Sequence, residues 1–442
     1  MVQLPQINNQ ELPKTEVGSY FVANYPPFSV WSSEHVPAAA AALDGAPRTD
    51  VPLGLYLHIP FCRKRCKFCY FRVYTDKNAG EVDVYIDALA REVALYADRS
   101  ALNGRQFEFV YFGGGTPSFL SSQQLTRLID RIREHWTWEA AREVTFECEP
   151  GTLKRSKLET IKEIGVTRLS LGVEHFDDEI LEANGRAHKS PEILRAYDWA
   201  REVAFPQINI DLIAGMVGET DDKWKRTIEQ ALAMEPDSVT IYQMEMPHNT
   251  VVSREAKAAG QAVPVADWAT KRGWVDYAFR QFEAVGYQVS SGYTLIKPEQ
   301  HNGFVYRDSL WHGADLIGTG VASFGHFAGV HMQNVDGWQD YIDACRAGKL
   351  PLNRALPIAP KQALIRELVL QFKTGRLDAG YFRGKFGVEI RREFADAFDS
   401  LGAERLVDVD GDSARLTRKG LLQVDALLPR FFERTFQNIR YT

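Results

Sequence analysis

Three cysteines, Cys62, Cys66 and Cys69, stand in one short loop with the spacing C-x3-C-x2-C. The loop leaves an apolar run, Leu55-Tyr56-Leu57-His58-Ile59-Pro60-Phe61. Three soft thiolates on a flexible loop suit a cube of iron and sulfide, with the fourth iron left open for a small molecule to coordinate and react. Zinc is the lesser reading. Structural zinc wants four ligands, usually in two paired spacings, and no second C-x2-C occurs, so His58 or Cys148 would have to complete the site. A disulfide framework is poorer still, because five cysteines are few and odd in number for 442 residues. Cys148 and Cys345 each stand alone and read as buried small residues. Arg63, Lys64, Arg65 and Lys67 lie between the thiols. Positive charge there favours deprotonated sulfur and offsets the charge of a bound cluster, although each of these residues singly also fits an ordinary basic loop.

The elements that must position this loop alternate between strand and helix from residue 53 to about 286. Leu53–Ile59 predicts a strand, and Val82, Tyr85, Ile86, Leu89, Val93 and Tyr96 follow at helical spacing. Phe107–Phe112 predicts a second strand, whose helix opens with Ser121 and Gln124 as a capping box and continues through Leu125, Leu128, Ile129 and Ile132. Further strands are expected at Val144–Glu147, Arg168–Val173, Gln207–Ile213 and Val239–Gln243. Their helices run through Leu158, Ile161 and Ile164, from Ser190 and Pro191 as N-cap and first helical residue, and near Lys223–Met234 and Trp268–Ala284.

Six such units in a row imply a parallel sheet with right-handed crossovers, either a doubly wound open sheet or an incomplete barrel. The placement of the unusual residues favours the barrel. They fall just beyond the C-terminal ends of consecutive strands, where barrels place chemistry. The cysteine loop follows the first strand and Gly113-Gly114-Gly115-Thr116-Pro117 the second. The third ends in Glu147-Cys148-Glu149, the fourth in Glu174, the fifth in Asp211 and Gly215, and the sixth in Glu245. The glycine run lacks both a Walker lysine and GxGxxG spacing, so it is no phosphate loop. Consecutive glycines let backbone come close to a ligand, and they also suit a plain tight turn.

The composition is that of a globular chain with room for two or three domains. A net charge of −6 gives no broad nucleic-acid or anionic-membrane footprint. No apolar run approaches membrane-spanning length, and Met1 to Pro13 lacks the apolar core of a signal peptide. With free thiols, such a chain is expected in a reducing cytoplasm. Ala38 to Ala42, flanked by Pro37 and Pro47, predicts a surface linker.

Together these motifs resemble the radical S-adenosylmethionine (SAM) enzymes, and more narrowly the oxygen-independent coproporphyrinogen III dehydrogenase, or HemN-like, group. The matching residues are Tyr56 through Cys69, Gly113 through Pro117, Glu147-Cys148-Glu149-Pro150, Leu171-Gly172-Val173, Asn184-Gly185-Arg186 and Asn209 through Ile213. Trp311-His312-Gly313 and Leu316 through Gly320 resemble the segment that closes this group's site. The resemblance implies a partial (β/α)6 barrel of the α/β class over residues 51–350, with an N-terminal extension at 1–50. A mainly helical, winged-helix-like lid is implied at 351–442. Cys62, Cys66 and Cys69 would hold a [4Fe-4S] cluster. Tyr56, Phe68, Gly113, Gly114, Gly115, Thr116, Glu147 and Arg186 would meet SAM, with Tyr56, Glu147 and Arg186 nearest the chemistry. Cleavage of SAM would yield a 5′-deoxyadenosyl radical that takes hydrogen from a small-molecule substrate, a tetrapyrrole by analogy. The resemblance further implies a flavodoxin or ferredoxin as electron donor, and a monomer is expected.

Members of this group can hold a second SAM, and the matching positions here are Glu174 and Asp211. Asp211 fits the group's pattern, whereas a glutamine is usual where Glu174 stands. The decarboxylating members carry a further cysteine two residues after the last ligand; Phe71 stands there in this chain. An aromatic at that position is shared by a haem-chaperone branch and by methylating relatives. Asn24-Tyr25-Pro26-Pro27 is loosely similar to the decarboxylases' N-terminal extension. Oxidative decarboxylation, SAM-dependent C-methylation or cyclopropanation, and haem carriage are therefore the expected activities, in that order. Arg72, Lys77, Arg307 and His312 are the cations that could meet substrate carboxylates.

From about Leu352 the pattern turns helical, through Leu364, Leu368, Phe382, Phe386, Ile390, Phe394 and Phe398. Asp408–Asp412 predicts the turn of a small hairpin. No basic stripe accompanies this module, so a lid or packing role is expected rather than nucleic-acid binding.

Overall fold

The computed structural model describes residues 21–247, 250–260, 263–298 and 303–437; the polar stretch Met1 to Pro13 lies outside them. Six parallel strands, β1 (Leu53–Ile59), β2 (Phe109–Gly114), β3 (Glu143–Cys148), β4 (Arg168–Glu174), β5 (Gln207–Ala214) and β6 (Ser238–Gln243), pair in sequence order. Most of their residues are buried, which explains why they read as apolar runs rather than as alternating strands. Short strands β7 (Gln288–Val289) and β8 (Thr294–Ile296) extend the sheet beyond β6. At the other edge β9 (Asp315–Thr319) adds a seventh parallel strand against β1. β10 (Phe324–Phe327), β11 (Val330–Asn334) and β12 (Leu352–Pro357) then continue antiparallel. This is the partial (β/α)6 barrel, with the Leu316–Gly320 segment supplying the strand beside β1.

The helices sit where their caps place them. Ser121 and Gln124 form the capping box of Ser122–Arg133, and Asn78 with Glu81 forms another for Ala79–Ala97. Three boundaries differ from expectation. β2 begins at Phe109 and takes in the first two glycines, because Gly113 and Gly114 pair in register with His58 and Ile59; Phe107 instead packs edge-on against Trp136 at 4.9 Å. The helix Ser190–Val203 is capped by Lys189, with Ser190 as its first residue, because Asp178 accepts the Ser190 N–H at 2.7 Å. Residues 352–357 are not helical: β12 pairs with β11, and Ser32 exchanges backbone hydrogen bonds with Ala355 at 3.0 and 2.9 Å.

The alanine-rich stretch is likewise no linker. Val36–Leu43 is a helix whose Ala39 and Leu43 are fully buried against the main core. Alanine's high helix propensity and small volume let this turn pack closely on β11 and β12.

A second hydrophobic core forms from the C-terminal region. Its order is helix Pro360–Phe372, strand β13 (Arg376–Asp378), helix Ala379–Phe386, helices Ile390–Glu393 and Ala395–Ala403, then β14 (Val407–Asp410) and β15 (Ser413–Leu416). β13, β15 and β14 form one small antiparallel sheet, which is the winged-helix-like module. Val22 and Tyr25 from the N-terminal segment pack into this core, as do Phe431 and Phe432. Among the described residues no helix is long and apolar enough to cross a membrane.

Candidate functional site

Beyond the C-terminal ends of the parallel strands lies a cavity of about 470 Å³. The cysteine loop, the glycine turn and the ends of β3 to β5 line one half of it; the end of β6, Phe21, Tyr293 and residues 421–426 line the other. Cys62, Cys66, Phe68, Cys69, Gly114, Gly115, Thr116, Glu147, Glu174, Arg186 and Asp211 all face this space. Tyr56 and Gly113 do not line it. The Tyr56 ring stacks on Tyr111 at 5.8 Å, and a Cβ on Gly113 would come within 2.8 Å of that same Tyr111 ring. Arg72, Lys77, Arg307 and His312 also stay outside the lining, with Lys77 paired to Glu81 at 2.9 Å and Arg307 bonded to Ser290 at 2.8 Å.

The cysteine loop is held at each end by backbone. The Cys62 N–H donates to Tyr74 O at 3.0 Å, and Lys67 N–H donates to Asn184 O at 3.0 Å. Gly115 explains why the glycine turn and this loop go together. Its N–H donates to Ile59 O at 2.9 Å, and a Cβ there would lie 2.9 Å from Phe61 O and 3.1 Å from Cys62 Sγ. Gly114 has φ +117° and a Cβ there would strike His58 at 2.6 Å. Next in line, the Thr116 hydroxyl donates to Cys62 Sγ at 3.4 Å.

The rim carboxylates divide into two roles that their sequence positions do not separate. Glu147 faces the cavity, accepting from Tyr111 Oη at 2.6 Å and Gly114 N–H at 3.2 Å. Glu149, two residues on, also reaches the cavity but is taken up in bracing the cysteine loop: Arg63 makes two bonds to it at 3.1 Å, and His188 Nδ1 lies 2.9 Å away. Burial opposes the Glu149 charge, but His188 and Arg63 outweigh it and hold the carboxyl down at about 2. Its folded value lies below the unfolded one, so its stabilisation is complete above about pH 4.5 and fades as pH falls toward about 2. Glu149→Gln is accordingly expected to lower unfolding stability at neutral pH by about 1–3 kcal/mol, with the gap closing in acid. Thermal melts across that pH range check it, and a constant gap would contradict it.

Arg186 arrives through a built turn. Asn184 is fully buried and clamps the turn, its amide donating to Ile180 O at 2.8 Å and Val217 O at 3.0 Å and accepting from Val217 N–H at 3.0 Å. Gly185 follows at φ +76°, where a Cβ would crowd Lys67 at 3.2 Å. The guanidinium then reaches Gly172 O at 2.8 Å, Cys66 Sγ at 3.3 Å and Glu174 at 3.4 Å. Glu174 itself has φ +65°, uncommon for a non-glycine, at an irregularity in the β4–β5 pairing that re-aims its side chain. Asp211 is oriented by Ser170 Oγ at 2.8 Å and Asn209 Nδ2 at 3.0 Å.

Around Arg186 the cavity thus gathers the carboxylates Glu147, Glu174 and Asp211. Burial pushes Glu147 up to about 7, with Tyr111 opposing and Asp211 and Glu174 adding. Burial likewise raises Glu174 to about 7 against the Arg186 charge, and raises Asp211. An excess of buried carboxylate calls for a cationic ligand, and the guanidinium for an anionic group on the same molecule. A zwitterion carrying an additional positive charge, as SAM is, meets both demands.

Three sulfur donors line one cavity, with Cys62 taking the Thr116 hydroxyl and Cys66 the Arg186 guanidinium, a donor set whose chemistry suits iron and sulfide. Among the described residues no three His, Cys, Asp or Glu side chains converge tightly enough for a single ion. Burial pushes the Cys62 thiol up to about 12 despite the Thr116 hydrogen bond, so metal loading must release protons there. Cys148 and Cys345 are buried and unpaired.

Tyr111, Ser170 and His188 escaped the sequence reading, as did Tyr242, Gln243 as a cavity residue, Tyr293 and the 421–426 wall; Arg63, Glu149 and Asn184 were read as motif residues without their bracing contacts. Their signal was weak, because each is an ordinary polar or aromatic residue whose partner lies far off in the chain.

The family model of the radical SAM superfamily matches residues 56–231. The haem chaperone HemW of Mycobacterium tuberculosis is 30% identical over 386 residues, covering 87% of this chain and 95% of that protein. An oxygen-independent coproporphyrinogen III oxidase of Pseudomonas aeruginosa is 27% identical over 415 residues, covering 88% and 87%. The solved structure of the coproporphyrinogen III oxidase HemN of Escherichia coli superposes with a TM-score of 0.80 at 24% identity, over 93% of this chain and 96% of that one. Thiol loop, glycine turn, charged rim and whole-length similarity agree: the chain belongs to the radical SAM superfamily, in its HemN-like group.

Proposed function

We propose that this chain is a radical SAM enzyme that oxidatively decarboxylates a porphyrinogen-type substrate. One observation carries the reading: three thiols, a glycine turn and charges of both signs open onto a single cavity whose far half is aromatic and large enough for an organic substrate. In this reading Cys62, Cys66 and Cys69 hold a [4Fe-4S] cluster. SAM lies against Gly114, Gly115, Thr116 and Phe68, between Arg186 and the carboxylates Glu147, Glu174 and Asp211. Tyr56 and Gly113 support that pocket from below through the Tyr111 ring. When bound, cluster and SAM together supply one-electron reduction and hydrogen-atom abstraction. The chain's own work is to bind, orient and keep water out. Arg186 fixes a carboxylate, the acidic side chains hold positive charge, and residues 421–426 cover the substrate side. Propionate oxidation then removes a hydrogen atom, releases carbon dioxide to leave a vinyl group, and passes one electron to an acceptor. The coproporphyrinogen III oxidases among the relatives support this choice. The electron enters from a reduced flavodoxin or ferredoxin.

Two observations favour other chemistry on the same machinery. Phe71 lines the cavity where decarboxylases carry a thiol, and Glu174 sits beside Asp211 where a second SAM would lie, which favours C-methylation or cyclopropanation. The likeness to HemW favours haem carriage. An anaerobic assay with dithionite, SAM and coproporphyrinogen III separates the three. Deoxyadenosine matched by carbon dioxide and vinyl product establishes decarboxylation. S-adenosylhomocysteine without porphyrin turnover moves the reaction to methyl transfer. Haem binding with no coupled SAM cleavage leaves a carrier.

The raised carboxylates also set a pH dependence. Glu147 and Glu174 are protonated below about 7 and charged above it, so affinity for a cationic sulfonium ligand is expected to rise from about pH 6 to about pH 8. Calorimetric titration with SAM at both ends of that range checks the direction; flat affinity would remove these carboxylates from the binding charge.

A further inference from the structure

The half of the cavity away from the thiols has its own chemistry. Tyr242 lines it and is still open at 41% exposure, and Phe71, two residues beyond Cys69, opens onto the same cavity at 53%. Tyr293 stands beside Tyr242, ring centroids 6.3 Å apart and stacked, and Phe21 tilts against Tyr293 at 5.2 Å. Open aromatic faces inside a cavity are suited to a flat or ring-built ligand.

The polar groups of this half are mostly acceptors. The Gln243 amide nitrogen donates to Leu422 O at 2.9 Å, which fixes the amide so that its oxygen points the other way, buried and without a partner among the described residues. Glu245 lines the same space and takes the Phe21 backbone N–H, leaving carboxyl lone pairs unused. The cations nearby are already engaged. Lys373 is fully buried, bonded to Val22 O at 2.6 Å and paired with Asp425 at 2.9 Å. Asp425 in turn takes Val22 N–H at 2.9 Å and the Tyr293 hydroxyl. Arg272 is engaged within the chain.

A ligand that fills this half must therefore bring hydrogen-bond donors to its centre, because a buried acceptor left empty costs more than a made bond returns. Resting on the tetrapyrrole reading above, we propose that Glu245 and the Gln243 amide oxygen receive the N–H groups of a pyrrolic substrate whose rings lie against Phe71 and Tyr242. Burial, reinforced by the Asp425 charge, holds the Glu245 carboxyl up at about 8, so at neutral pH it keeps its proton and accepts through its carbonyl oxygen.

The test compares two probes that share ring and carboxylates but differ in N–H. Free-base coproporphyrin III carries inner N–H groups; its nickel(II) complex has none and takes up axial ligands weakly. Both are titrated by absorbance into the anaerobic, reconstituted full chain with SAM present. The free base is expected to bind about tenfold more tightly, the combined worth of two neutral hydrogen bonds. In Glu245→Ala that preference should fall to within about twofold, and Gln243→Leu should remove part of it. SAM titration in the same samples reports whether each variant keeps its fold. Equal affinity of the wild-type chain for both probes overturns the inference while leaving the tetrapyrrole reading intact. A preference that survives both folded variants overturns the assignment to these residues. If neither probe binds although SAM does, the tetrapyrrole reading falls and takes the inference with it.

Discussion

Alanine at any one of Cys62, Cys66 and Cys69 is expected to leave the reconstituted protein without iron, sulfide or the visible absorption of a cluster. Three thiols share one loop at the cavity, and a fourth that also lines it, Cys148, is held on the strand β3. Cys148 is buried beside Glu147 on β3, and Cys345 lies in a distant helix. Neither can step in, so Cys148→Ala and Cys345→Ala should retain full metal content. The loop is also preset from outside: Gly115 leaves room for Cys62 Sγ, and Glu149 with His188 fixes Arg63. Loss of the cluster should therefore occur without loss of fold, and unfolding curves of the unloaded variants should track the unloaded wild type. Undiminished iron and sulfide in any of the three variants would contradict the assignment.

Arg186→Ala is expected to weaken SAM binding by about 2–4 kcal/mol, roughly a thirtyfold to thousandfold loss. The side chain satisfies three acceptors at once, on Gly172, Cys66 and Glu174. Its removal takes the counter-charge from Glu174 and part of it from Asp211, and takes away the cation for a ligand carboxylate. Lysine should restore little, since one ammonium cannot reproduce a planar fork aimed in separate directions. Calorimetry with the reconstituted protein reads the loss directly; wild-type affinity in the alanine variant removes Arg186 from the binding site.

The strands, the capping box at Ser121 and the cysteine loop were legible because each is a local pattern. Apolar runs, a serine three residues before a glutamine, and three cysteines within eight positions need no tertiary context. Boundaries failed where tertiary pairing decides. Gly113 and Gly114 join β2 only because β1 lies alongside, and Leu352–Pro357 is a strand only because β11 is there to receive it. The alanine helix at Val36–Leu43 was hidden by its own blandness, since nothing in five alanines announces which face is buried. At the site, Glu147 and Glu149 are two residues apart on similar backbone, and their opposite fates depend on Tyr111 and on Arg63 with His188. The whole 421–426 wall was invisible because its partners are more than a hundred residues away: the Gln243–Leu422 bond spans 179 positions and the Tyr293–Asp425 bond 132.

That wall is keyed into both cores. Leu421 and Leu422 pack with the large sheet, while Val424, Leu427 and Leu428 pack with the C-terminal module. A partition nailed to both rooms cannot swing as a door. A repacking change in either core will therefore alter the volume that the substrate finds, even from far outside the cavity.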